Sequence, residues 1–201
     1  MEGNKVLDVI IQGDTAYIAT EYGLNWLDLL SMNIYKSSKD ILDNVQINQL
    51  THDGELLWAA TRFGLYSIDS FNDDITFFSS RAVLPDYNPT AVEIVKDQIW
   101  IANKYGIAFW DRPSDQWRSF PELNFQGEIR DIVSTGNFLW FATNRGLLRY
   151  SPNDNFWRIY DEKDGLISKN VFRLDREGRH LWISTEKGIT AFRWRRKGRI
   201  D

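Results

Sequence analysis

Apolar, small and polar positions along the chain follow one phrase that returns five times. Its clearest copy is Leu139-Trp140-Phe141-Ala142-Thr143-Asn144-Arg145-Gly146-Leu147. Variants occupy residues 17–24, 58–65, 100–107 and 182–189. Their glycines, Gly23, Gly64, Gly106, Gly146 and Gly188, are spaced by 41, 42, 40 and 42 residues. A near-fixed period of this length in a strand-rich chain predicts an all-β fold, a β-propeller with one blade per repeat. Five blades are expected, over about residues 1–39, 40–80, 81–121, 122–161 and 162–201, in a single domain.

Each repeat reads as four short antiparallel strands. The innermost strand is an apolar run at residues 6–11, 45–50, 91–95, 129–133 and 171–174. Turns rich in residues that tolerate positive φ follow it, at Gly13-Asp14, Asp53-Gly54, Gly136-Asn137 and Glu177-Gly178. The tryptophan phrase is the second strand, and the repeated glycine leads into the third. A fourth strand starts 11 residues after each glycine, at Ile34, Ile75, Trp117 and Trp157, and tends to end on an aromatic such as Phe120 or Tyr160.

Alternation inside the second strand puts its large ring and the residue two positions on upon one face. That residue is always small: Ala19, Ala60, Ala102, Ala142 or Ser184. A ring beside a small neighbour lets adjacent blades interdigitate, so both faces of each blade are expected to be buried.

Composition narrows the function classes. Nine Trp, eight Tyr and twelve Phe in 201 residues suit sheets packed face to face. A net charge of −4 gives no global argument for nucleic acid as a partner. The absence of cysteine excludes disulfides, thiolate chemistry and cysteine-ligated zinc. No apolar run reaches the roughly 18 residues of a membrane span, and residues 1–15 do not read as a signal peptide. Periplasmic or extracellular placement is expected if the chain is a piece of a sensor, cytoplasmic placement if it stands as it is.

The repeat resembles that of two-component-regulator propellers. The resemblance is carried best by Asp164-Gly165-Leu166-Ile167-Ser168-Lys169-Asn170-Val171 followed by Leu181-Trp182-Ile183-Ser184-Thr185-Glu186-Lys187-Gly188-Ile189. A weaker copy is Asp40-Ile41-Leu42-Asp43-Asn44-Val45 ahead of Leu57-Trp58. What it implies is a non-enzymatic ligand-sensing or interaction propeller, often bacterial and linked to polysaccharide sensing. A second resemblance, in tryptophan repeats followed by glycine, is to streptogramin lyases, which rely on a histidine near the mouth. Here His52 and His180 map to the turns on the opposite face. A third reading is a structural repeat array that completes its ring with another chain.

The last repeat is short. Its fourth strand is expected near residue 199, while the sequence given ends at Asp201. The last blade is therefore expected to lack its outer strand and to present an edge at Arg193, Trp194, Arg195 and Arg196, where a protein partner or a second copy could bind and where the arginines, with Lys197 and Arg199, guard against strand addition.

The turns between second and third strands carry the candidate ligand site. Tyr22, Phe63 and Tyr105 can stack on sugar rings or cations. Arg62, Lys104, Arg145 and Lys187, with Asn144, can hold acidic groups of a small molecule or oligosaccharide. The plainer reading is that all eight are solvated turn residues. Asp53, Asp69, Asp111 and Asp175 are expected to accept turn hydrogen bonds. No phosphate loop, nucleophile elbow or paired-carboxylate motif is present, so no catalytic residue, metal or cofactor is assigned.

Overall fold

The computed structural model describes residues 5–36, 40–69, 71–72, 74–78, 84, 88–120, 123, 125 and 127–194. Among these the chain is all-β, with 3₁₀ turns at Asp40–Leu42 and Glu162–Asp164 and no helix long and apolar enough to cross a membrane. It divides into two compact units, Met1–Leu123 and Asn124–Asp201.

The first unit holds three blades. Blade 1 is β1 (Val6–Gln12), β2 (Thr15–Thr20), β3 (Gly23–Asp28) and β4 (Ile34–Lys36). Blade 2 is β5 (Ile47–His52), β6 (Leu56–Thr61), β7 (Gly64–Asp69) and β8 (Ile75–Phe78). Blade 3 is β9 (Ala91–Val95), β10 (Gln98–Asn103), β11 (Gly106–Asp111) and β12 (Gln116–Ser119). The second unit holds blade 4, β13 (Ile129–Thr135), β14 (Phe138–Thr143), β15 (Gly146–Ser151) and β16 (Phe156–Tyr160), and blade 5, β17 (Val171–Glu177), β18 (His180–Thr185) and β19 (Gly188–Arg193). Every sheet is an up-and-down meander in sequence order, and among the described residues the fifth has three strands.

The two-residue turn before the third strand is closed the same way in four blades. The hydroxyls of Thr20, Thr61, Thr143 and Thr185 each donate to the carbonyl of the repeated glycine at 2.7–2.9 Å. Each also accepts the amide of the residue two positions on, at 3.0–3.2 Å. In blade 3 Asn103 takes this place, and its Oδ1 accepts the Tyr105 amide at 2.8 Å. The glycine requirement is physical at Gly64. Its φ is +140°, and a Cβ there would sit 2.7 Å from the Phe77 ring.

The pairing of large ring and small residue organises the core. Trp58 and Ala60 pack with Ile99, Ile101 and Ala108 of the next blade. Trp140 and Ala142 pack with Leu174, Leu181 and Ile183. Tyr17 and Ala19 pack with Leu57 and Ala59. Aromatics at the end of the fourth strand, or just past it in blade 3, seat on the second-strand tryptophans: Phe78 on Trp58 at 5.2 Å, Phe120 on Trp100 at 5.5 Å and Tyr160 on Trp140 at 5.9 Å.

Some expectations need correction. The end blades do not bury both faces: Trp182 is 38% exposed where Trp58, Trp100 and Trp140 are 1–2% exposed, and Val9 and Ile11 of β1 are exposed. The innermost strand of blade 2 starts at Ile47 rather than Val45, because Asn44 turns through a left-handed φ of +58° and the Val45 amide closes on Leu42. The first turn of blade 5 is Gly178-Arg179, since β17 pairs through Glu177↔His180. Asp175 lies inside β17 opposite Trp182, not in a turn. Blade 3 turns at Lys96-Asp97 with Lys96 at φ +57°, where the sequence offers no glycine.

Candidate functional site

The turn that ends in the repeated glycine is tied to the start of an inner strand. The Arg62 amide donates to Gln46, the Asn144 amide to Glu128 and the Glu186 amide to Asn170, while Tyr22 accepts from the Asn44 amide. The turn residues therefore share one end of the blades with the inter-blade loops, as the strand order requires.

In the first unit this end carries three aromatic rings at equivalent positions of three successive blades. Tyr22, Phe63 and Tyr105 are 47%, 49% and 55% exposed. The Arg62 guanidinium lies 4.5 Å from the centroid of Phe63, and the Lys104 ammonium 4.8 Å from that of Tyr105. Each cation is attracted to the ring quadrupole. Stacking holds each cation over its ring at the surface. Below the turns, Asn48 donates to Asn88 at 2.7 Å and to the Pro89 carbonyl at 2.8 Å, and Gln46 donates to Asn48 at 2.7 Å.

The second unit is built differently at this end. Asn144 Oδ1 accepts the Glu128 amide at 3.0 Å, so it serves the loop that leads into β13. Arg145 and Lys187 are exposed. Glu186 accepts from Ser168 at 2.8 Å and from Asn170 at 3.0 Å, and these two bonds, with Lys187 and Arg130 nearby, hold its carboxyl below the usual range. Arg130 is fully engaged: it pairs with Glu128 at 2.8 Å, donates to Asn170 at 2.7 Å and lies 5.0 Å over Phe172. Sequence reasoning missed Gln46, Asn48, Asn88 and Arg130. Their only signal was a polar residue just before or within each apolar inner strand.

The remaining candidates fall elsewhere. His52 ends β5 and His180 begins β18, away from these turns. Asp53 accepts the Glu55 and Leu56 amides at 3.0 and 2.8 Å, the Trp58 indole at 3.3 Å and the Arg112 guanidinium. Asp69 accepts the Phe71 amide at 2.8 Å, and Asp111 the Ser114 hydroxyl. Among the described residues no cluster of three His, Asp or Glu side chains is placed to hold a metal ion. Arg193 ends β19 and Trp194 follows it in a turn, and Arg195 and Arg196 lie outside the described residues.

No family model and no curated protein sequence matches the chain. Solved structures do. The extracellular domain of what is described as the hybrid two component system BT3049 from B. thetaiotaomicron aligns with a TM-score of 0.79 and 19% identity, over 96% of this chain and 28% of that one. The extracellular domain of BT4673 from the same organism, described as a one component system, aligns at 0.77 and 16% identity, over 93% and 27%. PorZ, described as an essential bacterial surface component of the type-IX secretion system of Porphyromonas gingivalis, aligns at 0.65 and 15% identity, over 93% and 24%. The chain spans about a quarter of the length of these proteins. The likeness is one of fold, and it agrees with the two-component-regulator propeller repeat read from the sequence.

Proposed function

We propose that the chain is a non-enzymatic binding module of the two-component-regulator propeller type, and that its ligand is an acidic oligosaccharide held at the turn row of the first unit. The observation that carries this reading is the set of three half-exposed rings, Tyr22, Phe63 and Tyr105, two of them with a cation parked on the ring. Sugar rings present apolar C–H faces that stack on aromatic side chains, and carboxylates on a sugar match a guanidinium fork. The neighbours' extracellular setting supports this by analogy of fold alone.

Calorimetric titration with short oligogalacturonates tests the reading, with a neutral cello-oligosaccharide as the comparison. Phe63→Ala and Arg62→Ala should each weaken oligogalacturonate binding by about tenfold, since a good contact is worth roughly 1–2 kcal/mol. Equal binding by the parent chain and both variants would remove the site from consideration.

A further inference from the structure

We infer that the second unit holds a carboxylate site at Arg149 for a small organic acid with an apolar body. Arg149 stands opposite Trp140 and Arg158 in its neighbouring strands, on the face of blade 4 that packs against blade 5. It is 7% exposed, and a buried arginine is normally paired. Among the described residues no carboxylate pairs with it and no oxygen accepts a hydrogen bond from it. Its guanidinium is surrounded by three rings instead, Phe138 at 4.8 Å, Tyr160 at 5.6 Å and Trp140 at 5.8 Å. Nε is buried without a hydrogen bond, whereas neither Nη atom is buried. The cation is desolvated on its inner side and open at its fork.

Blades 2 and 3 display the group that this place lacks. There too a cation lies over the second-strand tryptophan, with Arg112 at 5.2 Å from the Trp58 ring. Its charge is met by Asp53, which accepts the guanidinium and, at 3.3 Å, the Trp58 indole N–H. Gly64 and Gly146 are 82 residues apart, and the same offset carries Trp58 to Trp140 and Asp53 to Thr135. Thr135 does half of what Asp53 does. Its hydroxyl oxygen accepts the Trp140 indole at 2.6 Å, but it brings no charge. Blade 4 therefore has the cation on the tryptophan and the acceptor for the indole, and not the carboxylate.

The local charge balance points the same way. Arg158 faces Arg149 directly across β15 and β16, and Asp164 pairs with Arg158 at 3.1 Å rather than with Arg149. Like charges opposite each other in a sheet repel, and a buried cation without a partner is destabilising. A carboxylate arriving from solvent meets the two open Nη atoms, whose planar fork matches its two oxygens. The same chain uses a carboxylate at the equivalent place in blade 2, which favours this anion over a tetrahedral one. Phe138, the ring nearest the guanidinium, is only partly buried, so its uncovered part can take the carbon body of the acid. An aryl or alkyl monocarboxylate is the class that fits.

The probe is phenylacetate, titrated into the ¹⁵N-labelled intact chain while the arginine Nε–H resonances are followed by NMR. One resonance, absent from the spectrum of Arg149→Met, should shift saturably. Phenylacetamide, which keeps the ring and removes the charge, should bind at least tenfold more weakly. Arg149→Met keeps the apolar packing and should weaken phenylacetate binding at least tenfold in ligand-observed NMR, with an unchanged circular dichroism spectrum. Thr135→Asp places a carboxylate where blade 2 has Asp53, and should likewise weaken binding at least tenfold by filling the site from within the chain. A resonance that does not shift, equal affinity for phenylacetamide, or a variant that binds phenylacetate as the parent does overturns the inference.

Discussion

Asp131 Oδ2 in blade 4 accepts the backbone N–H of Leu174 in blade 5 at 2.8 Å. The same bond recurs in the first unit, where Asp8 accepts from Leu50 and Gln49 from Val92, each at 2.8 Å. All three acceptors sit at a bulge of the inner strand, which turns their side chains toward the next blade. Asp131 also accepts the Ile132 amide at 2.8 Å and is 2% exposed. Asp131→Ala leaves two buried amides without this acceptor and should cost about 2–4 kcal/mol in urea denaturation. Asp131→Asn keeps a carbonyl oxygen, as Gln49 does, and should cost less. An alanine variant as stable as the parent would contradict the role.

Ala142 is 0% exposed beside Trp140 in the packed face between blades 4 and 5. Ala142→Leu should therefore lower stability by about 1–3 kcal/mol through overpacking. Ser184 occupies the same position in blade 5, on the face that leaves Trp182 exposed. Ser184→Leu should cost little. Equal melting temperatures for the two leucine variants would argue against this packing scheme.

Asp53 links blades 2 and 3 through Arg112, which also lies 5.2 Å over Trp58. Partial burial pushes its carboxyl up, but the Leu56 amide, Arg112, the Glu55 amide and the Trp58 indole outweigh this and bring its pKa from 3.8 to about 2. The folded value is below the unfolded one, so the contribution is complete above about 4 and is lost as pH falls toward 2. Thermal melts from pH 5 to pH 2 should show a smaller acid loss for Asp53→Asn than for the parent. Parallel curves would show that Asp53 does not carry this linkage.

Arg149 is 7% exposed, and its Nε has no hydrogen-bond partner. Its guanidinium lies 4.8 Å from Phe138, 5.6 Å from Tyr160 and 5.8 Å from Trp140. Ring faces and the aliphatic stem hold it more than any ion pair does. Arg149→Met should stay within about 1 kcal/mol of the parent, because apolar packing replaces a desolvated cation. Arg149→Glu should lose about 3 kcal/mol or more, since it buries an anion against negative ring faces. Chemical denaturation of the two variants distinguishes this from a simple size effect.

The blades were legible because their determinants are local. The Thr-x-x-Gly turn, the large ring with its small partner and the fourth-strand aromatic each recur at fixed spacing, so one repeat checks another. The three strands of the last blade among the described residues were legible from the same spacing. The bonds between blades were not, because the acceptor position holds Asp8, Gln49, Ala91, Asp131 and Arg173 in turn. The bulge preceding most of them hides the register as well. At the candidate site, Phe63 and Tyr105 could be read as exposed turn residues. That Arg62 and Lys104 fold back over them could not, since neighbouring residues in a turn have no fixed side-chain direction. The bond by which the Asn144 carbonyl oxygen accepts the Glu128 amide, 16 residues upstream, has no local signature in the sequence.

Hydrogen–deuterium exchange of the chain with and without a short oligogalacturonate tests the central reading most directly, because it locates the ligand. The account predicts slower exchange at the turns around Tyr22, Phe63 and Tyr105 and no change in β19. Protection confined to the opposite end of the blades, around His52 and Lys96, or no protection at all under saturating ligand, would contradict it.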